Sequence, residues 1–138
     1  MNQTVKVETL IRTDPKTAFR VFTDEVDAWW RKAAGPMRFA DGKLWEGDFE
    51  IGRVLTWEPG ARLVFEWRTR EFAPGEKTEV DIRFEAEGDA TRVTLLHRGW
   101  EALREDHPIR AGFKTGPAFR DMIGLRWAEQ LTSYRGRF

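Results

Sequence analysis

A chain of 138 residues matches one ordinary folding domain, and 41% hydrophobic with 33% charged residues is typical of a globular protein, not of a disordered or membrane-spanning one. Lysine plus arginine and aspartate plus glutamate number 23 each, so the net charge is zero and neither a nucleic acid nor a membrane surface is indicated as a partner. The lack of cysteine excludes disulfides and thiolate chemistry. Together with an N-terminus that shows no signal-peptide pattern, it predicts a cytoplasmic location.

The N-terminal part of the chain predicts one strand followed by two short helices. Residues 4–12 alternate polar and apolar side chains, as a half-buried strand does. Residues 13–15, Thr-Asp-Pro, provide an N-cap followed by proline, which is typical of a helix start. We expect Thr23 to cap a second short helix that ends at Trp29 and Trp30.

The sequence pattern in the middle of the chain, residues 37–99, predicts short strands joined by tight turns. Turn dipeptides such as Asp41-Gly42 recur, and apolar residues alternate with polar ones between them. The stretch 43–57 is long for one strand, so we expect Gly47-Asp48 to divide it. Consecutive strands with short turns predict an antiparallel meander that is buried on one face.

Residues 116–135 predict one long amphipathic helix, with Thr115 or Gly116 as N-cap and Pro117 near the first helical position. Its apolar residues are spaced to share one face: Phe119, Met122, Ile123, Trp127, Leu131 and Tyr134. Nearly everything upstream is predicted as sheet, so this face must pack on the sheet. The expected fold is α+β, a curved antiparallel sheet of about seven strands with two short helices and one long C-terminal helix. A wedge between helix and sheet can hold a small apolar ligand.

Several familiar catalytic and metal-binding patterns are missing from the sequence. Ser133 is the only serine and falls within the predicted helix, which argues against a serine triad. With two histidines and no cysteine, no metal site is predicted, and no phosphate-binding loop or other cofactor motif is found. Glu46, Asp48 and Glu50 are expected on one strand face, which is solvated or, in the alternative, serves acid–base chemistry.

A few residues have two interpretations. His97 is either a partly buried histidine bonded to a loop, or a residue that contacts a ligand or transfers a proton. Arg126 either reaches into solvent or points inward, where it would pair with a ligand carboxylate or an acidic residue of the sheet. Trp29, Trp30 and Met37 either fill the core or form a gate to a cavity. Seven Trp residues in all favour a roomy interior or an exposed apolar site, although a Trp-rich core is the alternative.

Four segments resemble the family related to the heat-shock protein 90 ATPase activator, within the START/SRPBCC superfamily. They are FRVFTDEVDAWW at 19–30, GRVLTWEP with RLVFEW at 52–67, TRVTLLH at 91–97, and the helix around Trp127, Leu131 and Tyr134. The resemblance covers nearly the whole chain and implies the helix-grip, Bet v 1-like fold. It implies no catalytic set, because the family shares none, and it implies a chaperone partner by the family name only. Arg126 stands where the family usually has glycine.

We therefore expect a single domain over residues 1–138 that binds a small, largely apolar molecule, such as a lipid, an aromatic compound or a polyketide-like compound. One alternative is a cyclase/aromatase- or hydrolase-like enzyme that uses the same cavity. Another is a chaperone accessory or a homodimer that uses exposed Trp residues as anchors. The candidate lining residues are Trp29, Trp30, Met37, Phe39, Trp45, Phe65, Trp67, His97, Phe119, Met122 and Arg126.

Overall fold

The computed structural model describes residues 3–113 and 117–138, and its elements follow the predicted order. The proposed cap at Thr115 or Gly116 lies outside the described residues. Two short 3₁₀ turns, Trp100–Ala102 and Pro108–Arg110, precede the last helix. The elements are β1 (Val5–Ile11), α1 (Pro15–Asp24), α2 (Val26–Trp29), β2 (Met37–Ala40), β3 (Lys43–Glu46), β4 (Phe49–Glu58), β5 (Arg62–Trp67), β6 (Thr78–Glu87), β7 (Ala90–Arg98) and α3 (Pro117–Arg135).

The seven strands form one antiparallel sheet in the order β1-β7-β6-β5-β4-β3-β2. The predicted alternation sets its register. Val7 lies opposite Leu95, Leu95 opposite Ile82, and Ile82 opposite Leu63, so one apolar row crosses four strands on the inner face. With two short helices and the long C-terminal helix, this arrangement confirms the expected α+β helix-grip fold.

The sheet bends in the β3–β5 region, where two irregularities interrupt the pairing. The β3–β4 register shifts between Leu44 and Trp45, and the β4–β5 register shifts between Val54 and Thr56. Between them lies Gly52, where any Cβ would overlap the backbone carbonyl of Glu66 on β5. Only glycine permits this close approach of the two backbones.

The predicted start of α1 is confirmed, whereas the predicted cap of α2 was wrong. The Asp14 carboxylate accepts the backbone N–H of Thr17 at 3.1 Å, as an N-cap should. Thr23 is still inside α1, and its hydroxyl donates back to the carbonyl of Phe19 at 3.0 Å. Because α1 continues one residue past Thr23, Glu25 occupies the position before α2.

The apolar face of α3 packs on the sheet and on α1. Its buried residues are Phe119, Ile123, Trp127, Leu131 and Tyr134, and Met122 is half-buried beside them. The Tyr134 hydroxyl donates to the carbonyl of Ala18 at 2.6 Å and ties the end of α3 to α1. The helix therefore lies across the inner face with its C-terminal half anchored.

The outer face of the sheet is covered by ion pairs around one buried carboxylate. Asp81 on β6 is fully buried and accepts hydrogen bonds from Arg62 at 2.8 Å, Arg98 at 2.9 Å and Arg83 at 3.3 Å. Burial alone raises the pKa of Asp81, but the three guanidinium groups outweigh it and lower the pKa to about 2. Asp81 therefore stays ionised above pH 4.

Candidate functional site

A pocket of about 440 Å³ lies between the inner face of the sheet, α3 and the segment that follows α2. Its wall combines the first half of β4, the ends of β5 and β7, and the middle of α3. The lining residues are Trp30, Arg31, Lys32, Glu46, Phe49, Ile51, Trp67, Arg68, Thr69, Arg70, His97, Trp100, Ile109, Ile123, Arg126, Trp127, Glu129 and Gln130.

Aromatic rings form much of this wall. Trp30 meets Trp127 edge to face, with ring centroids 5.4 Å apart at 88°. Trp67 meets His97 in the same way at 4.9 Å, and Trp100 lies 4.3 Å from the His97 ring. Edge-to-face contacts hold aromatic rings in defined relative positions. The four indoles therefore make a rigid, largely apolar surface.

His97 sits in the middle of this surface with both ring nitrogens bonded. The indole N–H of Trp127 donates to Nδ1 at 2.8 Å, and Nε2 lies 2.7 Å from the Thr78 hydroxyl. An indole can only donate, so Nδ1 is an acceptor and the proton of the neutral ring is on Nε2. The Thr78 hydroxyl then accepts from Nε2 and donates to the carbonyl of Trp67 at 3.1 Å. One directed chain of hydrogen bonds thus joins α3, β7, β6 and β5.

Burial keeps His97 neutral, while its hydrogen bonds select the tautomer. The side chain is fully buried, and burial lowers its pKa from 6.5 to about 3. Protonation at Nδ1 would also break the bond from Trp127. His97 is therefore a neutral ring without a free lone pair, and its partners are side chains of a strand and a helix instead of the loop that was expected.

Four of the expected lining residues meet in the pocket: Trp30, Trp67, His97 and Arg126. Four others lie in the core, where no more than 3% of each is exposed: Trp29, Met37, Phe65 and Phe119. The Trp29 indole, for example, donates to the carbonyl of Phe22 at 3.1 Å, which fits the core-filling interpretation and not the gate. Met122 packs half-buried against the core and is not part of the pocket wall.

Phe39 and Trp45 lie away from the pocket. Phe39 lines a separate shallow depression with Trp57. Trp45 pairs with Glu50 across β3 and β4 on the outer face, where its indole donates to the carbonyl of Ala40 at 3.1 Å. The Lys43 ammonium and the Arg38 guanidinium lie over its ring.

The expectation for Glu46, Asp48 and Glu50 was wrong. Gly47 and Asp48 form the turn between β3 and β4, which breaks the alternation on which it rested. Glu46 lies opposite Met37 on the inner side and lines the pocket, where its carboxylate accepts the N–H of Ala34. Glu50 lies on the other side, bound to Lys43 at 2.8 Å. The ion pair with Lys43 lowers the pKa of Glu50.

The sequence analysis did not identify Trp100 as a pocket residue, nor the turn and hydrogen bonds that position it. Gly99 has φ of +94°, which glycine adopts freely, and it turns the chain from the end of β7 back under α3. The buried Arg110 then donates to the carbonyls of Trp100 at 2.7 Å and Leu103 at 2.9 Å. Burial lowers the pKa of this guanidinium, which also lies 4.9 Å from the Phe119 ring. The Gly99-Trp100 pair after a strand was the available signal.

The family model for Activator of Hsp90 ATPase homolog 1-like protein matches residues 12–116. No curated protein sequence matched the chain. Among solved structures, the chain is similar to CalC of Micromonospora echinospora, described as a self-sacrificing resistance protein. The TM-score is 0.69 and the identity 23%, covering 97% of this chain and 92% of that one.

Two further similar structures carry activator names. One is the Aha1 dimer from Colwellia psychrerythraea, with a TM-score of 0.62, 16% identity, and coverage of 96% of this chain and 92% of that one. The other is PFC0360w of Plasmodium falciparum, described as an HSP90 activator. Its TM-score is 0.63 and the identity 16%, covering 89% of this chain and 87% of that one. At these identities the similarity establishes the fold. Within the described residues, no helix combines the length and apolar character that crossing a membrane requires.

Proposed function

The chain belongs to the family of Activator of Hsp90 ATPase homolog 1-like proteins, and on this premise we propose that it binds a small, largely apolar molecule in the pocket between the sheet and α3. The observation that carries the proposal is the pocket wall. Four Trp residues and the apolar side chains of Ile51 and Ile123 form much of the wall of this pocket of about 440 Å³. Ligand sites are commonly concave, apolar and a few hundred Å³ in size.

The hydrogen bonds of His97 favour binding over catalysis at this site. General acid–base catalysis needs a group that can exchange a proton near neutral pH. His97 is held neutral by burial, and the Trp127 indole occupies its acceptor nitrogen. The cyclase- or hydrolase-like alternative would therefore have to rely on a different group, such as Glu46 or Glu129 on the same wall.

A second candidate function, a chaperone-accessory role, is favoured by an exposed apolar surface outside the pocket. Trp57 is 45% exposed and the neighbouring Leu55 is 44% exposed, so this part of β4 presents an aromatic anchor to a partner. The family name adds a candidate partner, Hsp90. Stimulation of the Hsp90 ATPase by the wild type but not by Leu55→Glu would support this role. An unchanged Hsp90 rate with both proteins would rule it out.

Fluorescence titration with N-phenyl-1-naphthylamine, a neutral apolar probe, tests the binding proposal. We expect saturable binding to the wild type and a loss of affinity of about tenfold or more in Thr69→Trp, which places an indole in the pocket. Thr56→Trp on β4 is the matched control, because Thr56 is not part of the pocket wall. Equal binding by both variants, or no binding by the wild type, would overturn the proposal.

A further inference from the structure

The charges around the pocket are unbalanced. Five lining side chains are cationic and two are carboxylates, although the chain as a whole has no net charge. The cationic residues come from three separate segments: Arg31 and Lys32 after α2, Arg68 and Arg70 after β5, and Arg126 on α3. The positive excess is therefore a local property of the pocket.

Among residues 3–113 and 117–138, most of these cations have no acidic side chain within ion-pair distance. Arg68 is the exception, with its guanidinium 3.6 Å from the Glu50 carboxylate. Arg70 lies over the ring of Phe49 at 4.6 Å and has no ion pair with the described residues. The side chains of Arg31, Lys32 and Arg126 likewise make no hydrogen bond or ion pair with the part of the chain that the structure describes.

The outer face of the same sheet shows the opposite arrangement. There Arg62, Arg83 and Arg98 surround Asp81, and Arg92 pairs with Glu87 at 2.6 Å. These four arginines are thus paired with carboxylates of the protein, whereas Arg70 and Arg126 lie beside an apolar hollow and form no ion pair with any residue that the structure describes. Guanidinium groups bind carboxylates and sulfonates through paired N–H donors.

The apolar and cationic parts are also separated along the depth of the pocket. Trp100, Trp127 and Ile123 are buried, whereas Arg31, Arg70 and Arg126 are exposed. From this polarity we propose that the ligand is an anionic amphiphile, whose apolar part lies on the indoles while its carboxylate or similar anion pairs with Arg126 and Arg70 at the mouth. The inference rests on the proposed function and adds the chemical class of the ligand.

The test compares two ligands with the same alkyl chain, the anionic decanoate and the neutral decanamide, as competitors of bound N-phenyl-1-naphthylamine. At 0.1 M salt, decanoate should displace the probe at an about fivefold lower concentration, which is the size expected for exposed ion pairs. The advantage should shrink at 0.5 M salt, because the Debye length falls from about 10 Å toward 3–5 Å.

Variants identify the cations responsible. Arg70→Gln/Arg126→Gln should make the concentrations of decanoate and decanamide that displace the probe equal. Arg135→Gln is the matched control on the same helix, nine residues or about 13 Å away, and should keep the decanoate advantage. Equal displacement by both competitors in the wild type, or an advantage that survives the double variant, would overturn the inference and leave apolar binding intact. Failure of the probe and of both competitors to bind would overturn the proposed function as well.

Discussion

The indole N–H of Trp127 donates to Nδ1 of His97 across 2.8 Å and joins the middle of α3 to β7 at the pocket wall. Both groups are buried, and each would be left without this partner if the other were removed. Unsatisfied buried polar groups cost about 1–3 kcal/mol. The bond therefore stabilises the placement of α3 over the sheet and keeps the imidazole in one tautomer.

The low pKa of His97 predicts that stability falls as the solution becomes more acidic. The unfolded histidine binds a proton near pH 6.5, whereas the folded one does so only near pH 3. Its contribution to stability is complete above pH 6.5 and is lost at about 1.4 kcal/mol per pH unit below that value. Urea denaturation at pH 7, 6 and 5 measures this slope. His97→Gln should have a shallower slope, and identical slopes for both proteins would contradict the assignment.

Asp81 predicts a second, more acidic loss of stability. Its pKa is lowered from 3.8 to about 2, so its contribution is complete above pH 4 and is lost as the pH falls through 2. We expect Asp81→Asn to lower the free energy of unfolding by about 1–2 kcal/mol at pH 7, after allowance for the partly exposed arginines. The stability of this variant should also depend less on pH below 4. Asp89→Asn, at the exposed β6–β7 turn, is the control and should behave like the wild type.

Two glycine-to-alanine substitutions should have opposite effects. At Gly52 a Cβ would overlap the backbone of Glu66. Gly52→Ala should therefore lower the free energy of unfolding by at least about 3 kcal/mol or prevent folding. At Gly124, within α3, the same Cβ would meet only Cγ1 of Val5 at 3.6 Å, an ordinary contact. Gly124→Ala should gain about 0.5–1 kcal/mol from helix propensity. Thermal unfolding of the two variants compares them, and a stable Gly52→Ala would show that the backbones do not approach as described.

Arg110 should be irreplaceable by lysine. Its guanidinium donates to the carbonyls of Trp100, Leu103 and Arg104, which lie in different directions. The ammonium group of lysine cannot reproduce the planar arrangement of these donors. We expect Arg110→Lys to lower the free energy of unfolding by about 2 kcal/mol and to speed hydrogen exchange of the backbone amides over residues 100–110. Hydrogen-exchange mass spectrometry reports this segment directly. Unchanged exchange in the variant would mean that other contacts hold Trp100 in place.

Local patterns were enough to predict the elements, because alternation and helical spacing depend on neighbouring residues. Cross-strand rows such as Leu95 opposite Ile82 follow from strict alternation in β6 and β7. Thr23 was assigned wrongly because its own residue type suits a cap, whereas the continuation of α1 depends on the backbone around it. Glu46 and Glu50 were wrongly assigned to one face because the turn at Gly47 and Asp48, which lies between them, breaks the alternation.

The site was harder to predict than the fold, because its decisive contacts join distant parts of the chain. Trp127 and His97 are separated by 30 positions, and nothing in the sequence shows that one bonds the other. The number of aromatic residues also does not tell which of them line the pocket, as Trp67 does, and which lie on the outer face, as Trp45 does. Trp45 directly follows a register shift between β3 and β4, which the sequence pattern does not reveal.

The most direct measurement of ligand binding is the ¹H–¹⁵N spectrum of the seven tryptophan indoles during titration with N-phenyl-1-naphthylamine. We predict that the signals of Trp30, Trp67, Trp100 and Trp127 shift in a saturable way, because these rings form the pocket wall. Those of Trp45 and Trp57 should stay in place, since neither lines that pocket. Shifts confined to Trp45 and Trp57, or no shift at all, would contradict binding between the sheet and α3.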